Sequence, residues 1–232
     1  MEYLELYRQD EFPVFQNRMY DSVAEARGCP RGDIRIVQDA ETGLVRNAAF
    51  DPSLMHYDSA YQNEQGLSAQ FDAHLDRIAD LVLALLGTEG LVEVGCGKAL
   101  FLDKLRRRGA DITGFDPAYE GDDPTILRRV FVEDLGIRSR GLILRHVLEH
   151  IDEPDLAVQQ ATKFVFVSIP IFADAGDIVR SHHFRKTEHI WYFTDDGIKR
   201  WFAGQGFECV EQNTLECHLG RKGVASYAFR RI

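Results

Sequence analysis

The stretch VEVGCGKALFL, Val92 to Leu102, constrains this chain more than any other part of it. An apolar run ends in Gly95-Cys96-Gly97 and passes at once into a helical pattern. That is the signature of a buried strand turning sharply into a helix, with small residues where the backbone bends and a ligand comes close. In an open parallel sheet such a turn lies beyond the carboxyl ends of the strands, where ligands bind.

The neighbouring segments fit that sheet. Phe71, Leu75, Ile78, Ala79, Val82, Leu85 and Leu86 recur at helical spacing, with Ser68 placed to cap the helix and Gly87 and Gly90 to stop it. "GLVEVG", "DITGFD", "RRVFVED", "GLILRHV" and "KFVFVSIP" read as successive strands, with helices predicted at "ALFLDKLRRRG", at "DEPDLAVQQA" with Pro154 in its first turn, and at "TDDGIKRWFAGQG" with Thr194 or Asp195 as cap. "FECVEQN" and "GVASYAFRR" close the series as a strand pair. The expectation is an α/β fold: a mostly parallel seven-stranded sheet over residues 66–232 with helices on both faces. Residues 1–65 form an N-terminal extension that reads as irregular, with weak strand signals at "DIRIVQD" and "TGLVRNAAF".

Charge narrows the partners. With 37 acids against 27 Lys and Arg, the net charge is −10, which repels a phosphate backbone. The run Arg106-Arg107-Arg108 suits a solvated helix end. No apolar run is long enough to span a bilayer, and the acidic start lacks a secretory pattern, so no membrane or nucleic-acid partner is expected and the cytoplasm is the default location. Cys29, Cys96, Cys209 and Cys217 make no CxxC pair, so they read as reduced, mostly buried thiols, and no metal site is expected.

The glycine turn fits several adenosine cofactors. Asp116 ends the next strand, about 20 residues on, the distance at which an acid accepts both ribose hydroxyls. A dinucleotide loop reads GxGxxG, and Leu100 replaces its last glycine. Glu93 precedes the loop, and a carboxylate suits a cation better than a pyrophosphate. S-adenosylmethionine, with a sulfonium and an ammonium and no phosphate, meets both conditions.

"VEVGCGKALFLDKLRRRGADITGFDP" and "LILRHVLEHIDEP" resemble motifs of the class I S-adenosylmethionine-dependent methyltransferases, a likeness running from Leu67 to Ile232. It implies a Rossmann-like methyltransferase fold. By that likeness Glu93, Gly95, Cys96 and Gly97 line the methionine end of the cofactor, and Asp116, followed by Pro117, holds the ribose. The backbone at Arg145 and His146 passes beside the sulfonium, and Glu133 or Asp134 meets the adenine. "FPVFQNRMY", "TGLVRNAAFDPSLMHYDSAY" and "EHIWYFT" are similar to a bacterial subgroup related to sugar C-methyltransferases. That subgroup begins with a small zinc domain, but its paired cysteines are missing here, so zinc is not carried over and the extension is a zinc-less lid. Tyr57 and Tyr61 match tyrosines that close the cofactor site, although packing explains them equally well.

Glu188 and His189 match the subgroup's Glu-His pair, with His189 as base; Lys186 stands where relatives carry tyrosine. His150 is a further candidate, with helix capping or packing as its simpler reading. Trp191, Tyr192 and Phe193 read as core and pocket wall. The function expected is methyl transfer from S-adenosylmethionine to carbon or oxygen of a small or sugar-bearing substrate, by a monomer or homodimer. A non-catalytic cofactor-binding protein is the first alternative, and a nicotinamide-dependent oxidoreductase the second.

Overall fold

The computed structural model describes residues 2–58, 60–61, 68–129, 131, 137–184 and 187–232. Three strands come first: β1 (Tyr3–Pro13), β2 (Arg31–Asp39) and β3 (Val45–Asn47), with the short helix α1 (Val23–Arg27) between the first two. Then follow α2 (Ala69–Leu86), β4 (Leu91–Val94), α3 (Leu100–Arg107), β5 (Ile112–Phe115), β6 (Ile126–Leu127), β7 (Ser139–Arg145) and α4 (Pro154–Gln159). The chain ends with β8 (Ala161–Phe172), α5 (Ala175–Ile178), β9 (Trp191–Thr194), α6 (Asp195–Gly204), β10 (Phe207–Asn213) and β11 (Val224–Arg231).

The central sheet runs β6-β5-β4-β7-β8-β11-β10, seven strands among the described residues, and only β11 is reversed. Alternation along the buried strands separates two cores. Val92, Val94, Leu142, Leu144, Val165 and Val167 face α4 and α6. Leu91, Ile143 and Phe166 face α2 and α3, where Leu75, Ile78, Val82, Leu102 and Leu105 pack against them. Each such side chain contributes about 1.5–3 kcal/mol on leaving water, so both helical layers are held mainly by this burial. The caps read from the sequence are present: the Ser68 hydroxyl accepts from Phe71 N at 3.1 Å and Thr194 Oγ1 from Gly197 N at 3.1 Å.

Two readings are corrected. The third strand is Ile126–Leu127 rather than "RRVFVED", because β5 pairs there through Gly114 and Phe115; Phe131 is buried, and residues 130 and 132–136 lie outside the described residues. In the N-terminal segment the strand signals at "DIRIVQD" and "TGLVRNAAF" are β2 and β3, and β1 adds a strand where the sequence reads as irregular. β1, β2 and β3 form an antiparallel ladder, and β3 pairs with β9 through Val45↔Tyr192 and Arg46↔Trp191. β9 in turn joins the carboxyl end of β8, so the N-terminal strands continue the central sheet around its edge. Ile34, Ile36, Val45, Phe172, Phe184 and Tyr192 close a third core beneath this ladder. The boundary expected at residue 65 falls outside the described residues. The cysteines are free thiols, but Cys209 is exposed, so only Cys29 and Cys96 fit the buried reading.

Gly114 has no space to spare: an added Cβ would stand 2.8 Å from Leu102 Cδ1 and 2.9 Å from Cys96 Sγ. Gly204, in the last turn of α6, has nothing within 4 Å of the same position beyond its chain neighbours and its own helix backbone, among the described residues. Gly114→Ala is therefore expected to cost about 1–3 kcal/mol by overpacking, and Gly204→Ala to gain roughly 0.5–1 kcal/mol through the unfolded chain. Denaturant unfolding of both variants checks this, and equal effects would contradict the packing described.

Candidate functional site

A cavity of about 920 Å³ opens at the carboxyl edge of β4, β5 and β7. Glu93, Gly95, Cys96 and Gly97 line it from the end of β4, and Asp116 and Pro117 from the turn after β5. Arg145 and His146 reach it from the end of β7, and Tyr57 and Tyr61 from the N-terminal segment. The sequence expectation groups these residues around one cofactor, with packing an equal reading for Tyr57 and Tyr61, and the fold brings them to one space. Glu133 lies outside the described residues, as does Lys186.

The glycine turn divides its two jobs. Gly95, at φ +69°, packs so closely that a Cβ would lie 2.9 Å from Val147 Cγ2, and its N–H donates to the Phe115 carbonyl at 2.7 Å. Gly97, at φ +54°, faces open space. Its N–H donates to Asp116 Oδ2 at 2.8 Å, while Oδ1 accepts from Ala118 N at 2.8 Å. Asp116 thereby ties the two ligand-facing turns together, and a carboxylate accepting two bonds keeps lone pairs for a ligand.

Glu93 is buried, and its Oε2 has no hydrogen-bond partner among the described residues. Burial pushes its carboxyl up to about 7, against the pull of the Arg145 guanidinium, which itself lies 4.3 Å over the Phe101 ring. His146 adopts φ 54°, a left-handed conformation costly for a histidine. Its ring Nε2 sits 3.1 Å from both oxygens of Glu216, which also accepts from Arg221 Nη1 at 2.9 Å. Burial would raise the Glu216 carboxyl, but His146, His74 and Arg221 together hold it well below the usual carboxylate range.

The expected Glu-His pair divides its work. Glu188 accepts from the backbone N–H groups of Gln16 and Asn17 and from the Tyr61 hydroxyl, the last at 3.2 Å. It is the anchor of a cover in which Phe15, Tyr57 and Tyr61 pack edge to face, with centroids 5.0–5.8 Å apart. His189 instead packs perpendicular to His150 at 4.7 Å between centroids and beside Tyr192 at 5.9 Å. Only His150 of these two lines the cavity. His183 Nε2–H donates to the Lys222 carbonyl at 2.6 Å, with the His182 ring tilted against it at 3.9 Å between centroids, and neither lines the cavity.

Three features escaped the sequence. Glu149 sits beside His150 and His189, with ligand-type atoms of all three within 4.8 Å of one another; "LEH" showed the residue but not its companion forty residues on. Glu216 carried no signal within its own segment. Phe101, Val147, Phe115 and Ile151 supply apolar wall, indistinguishable in a sequence from core.

Residues 68–212 match the family described as Methyltransferase domain. The curated ubiquinone biosynthesis O-methyltransferase of Alkalilimnicola ehrlichii is 27% identical over 148 residues, covering 55% of this chain. The chain spans 60% of the length of that relative. Magnesium protoporphyrin IX methyltransferase from Synechocystis PCC 6803, solved with bound S-adenosylmethionine, superposes with a TM-score of 0.51 at 16% identity, over 74% of this chain and 88% of that one. The Burkholderia thailandensis 1,6-didemethyltoxoflavin-N1-methyltransferase gives 0.53 at 13% identity, over 70% and 80%. These likenesses show the fold, a Rossmann-like methyltransferase sheet. With more than half of its length matched, the chain belongs to the methyltransferase domain family.

Proposed function

We propose that this protein binds S-adenosylmethionine and transfers its methyl group to carbon or oxygen of a small molecule, a sugar-bearing acceptor being the class favoured by the N-terminal sequence likeness. The observation that carries the reading is the unpartnered, buried carboxylate oxygen of Glu93, in one cavity with the open backbone of Gly97 and the carboxylate of Asp116. A ligand that is cationic at one end and carries a ribose at the other matches that sequence of groups. The Synechocystis neighbour was crystallised with this cofactor on the same fold. A volume of about 920 Å³ is within the range of small-ligand sites and admits a cofactor with a small acceptor beside it.

When bound, S-adenosylmethionine supplies a methyl whose bond to sulfur breaks, the electron pair staying on sulfur, as the acceptor's lone pair forms the new bond. The protein's share is to place and activate the acceptor. His150, at the cavity wall with His189 packed against it, is the group positioned to act on the acceptor's proton. Glu188 holds Phe15–Asn17 and Tyr61 over the site and so keeps water out. Domain division at residue 65 and a lid role for the N-terminal strands belong to the same proposal.

Calorimetry with S-adenosylmethionine, S-adenosylhomocysteine, NAD and NADP tests the cofactor directly: binding of the first two alone is expected, and binding of only the nicotinamide pair would reverse the reading. Asp116→Ala is expected to weaken cofactor binding by about 1–3 kcal/mol. Glu93 ionises as pH rises through about 7, so affinity for the cationic cofactor is expected to climb between about pH 6 and about pH 8. Glu93→Gln should flatten that profile, and a profile unchanged by the substitution would remove Glu93 from the cofactor's surroundings. His150→Ala and His189→Ala should each lower turnover about 100- to 10,000-fold with S-adenosylhomocysteine affinity retained.

A further inference from the structure

Glu149 and His150 occupy a 3-10 turn, Leu148–His150, just beyond β7, and His189 stands one residue before the Ile190-β9 connection. We infer that Glu149, His150 and His189 form a site for a divalent first-row transition-metal cation, which holds an oxygen of the acceptor against the cavity wall. The acceptor's part rests on the methyltransferase reading; the cation's part rests on these side chains alone.

The donor set is the first argument. Two imidazoles and one carboxylate select cations such as zinc, iron, cobalt or manganese, whereas magnesium and calcium favour oxygen throughout. Geometry is the second. The ligand-type atoms lie within 4.8 Å of one another, and ligands about 2.1 Å from a tetrahedral metal stand about 3.4 Å apart, so closure needs any pair to approach by no more than about 1.4 Å. The two rings stand perpendicular with centroids 4.7 Å apart, close enough for both to reach one cation.

The third argument is the state of Glu149. Its Oε2 is buried without a hydrogen-bond partner among the described residues. A carboxylate buried in this way needs a positive neighbour. The scaffold is already rigid: Ile190 N donates to the Glu149 carbonyl at 2.7 Å, and Trp191 Nε1 to the Ile151 carbonyl at 3.0 Å. Two ligands lie behind the wall and one, His150, lines it, which leaves the cation's open side toward the cavity. The Tyr57 hydroxyl, buried and without a partner among the described residues, is also among the lining groups.

With the cation bound, His150 serves as a ligand rather than as the base, and the cation instead lowers the pKa of an acceptor hydroxyl, whose proton leaves to water. It also narrows the acceptor class: two adjacent oxygens, as in a vicinal diol or a hydroxy-ketone, chelate it and fix the nucleophile.

The test uses tag-free, full-length protein with Co²⁺ as the probe. Visible ligand-field absorption is expected to saturate at one equivalent. Glu149→Gln, His150→Ala and His189→Ala are each expected to weaken it at least about 100-fold, beyond the 10- to 100-fold typical of outer-shell changes. The pair His182→Ala with His183→Ala should leave it intact, which separates the site from surface histidines. S-adenosylhomocysteine affinity, measured on the same variants, reports that each remains folded. Adding catechol to the Co²⁺-loaded wild type should shift the bands. Absence of saturable bands in the wild type, or bands of full strength in all three variants, overturns the cation site. Bands that catechol does not move overturn the acceptor's part. Co²⁺ binding without any S-adenosylhomocysteine binding would sink the methyltransferase reading while leaving the cation site standing.

Discussion

Ile190 joins the parts of this structure that matter for function. Its N–H donates to the Glu149 carbonyl at 2.7 Å, and its own carbonyl accepts from Asn47 N at 2.8 Å. One residue thus ties the turn after β7, the start of β9 and the end of β3. Buried backbone groups must find partners, and this short ladder supplies them where the chain crosses the mouth of the sheet. The antiparallel N-terminal strands, the cover they carry and the histidine pair all take their positions from it.

Four buried carboxylates surround the site, and each is reconciled with burial differently. Glu188 accepts from backbone amides and a phenol. Glu216 is surrounded by His146, His74 and Arg221. Glu93 and Glu149 have an oxygen with no partner among the described residues and are pushed by burial to about 7 and about 8. The first two are complete within the fold and act as anchors. The last two are incomplete, and an incomplete buried charge is where a ligand gains most by arriving.

Much of the architecture was legible because local signals agreed with the global pattern. Ser68, Thr194 and Pro154 marked real helix starts, and the glycine turn with Asp116 nineteen positions after Gly97 marked the cavity. β1 and β9 were missed for a shared reason. β1 is a largely exposed ladder strand with register shifts, and β9 is four residues whose pairing partners lie far away in sequence. Neither leaves a clean period to read. The Glu188–His189 motif was found, but the roles of its two members depend on which long-range neighbours each meets, and adjacent residues near a strand point to opposite sides. The company of Glu149 and the network around Glu216 arise only once distant segments meet.

The cover's anchor, Glu188, and the histidine packed on His150 are consecutive residues. Whatever lifts Phe15–Asn17 and Tyr61 off Glu188 acts one peptide bond from His189. On the proposed function, closure over an acceptor and alignment of the histidine pair would be coupled through that one peptide bond. An acceptor too bulky for the cover to seat would still enter and bind, yet meet a misaligned pair. Discrimination by size would then be exerted on the rate of the bound complex more than on its formation, the pattern in which binding energy is spent on assembling the site.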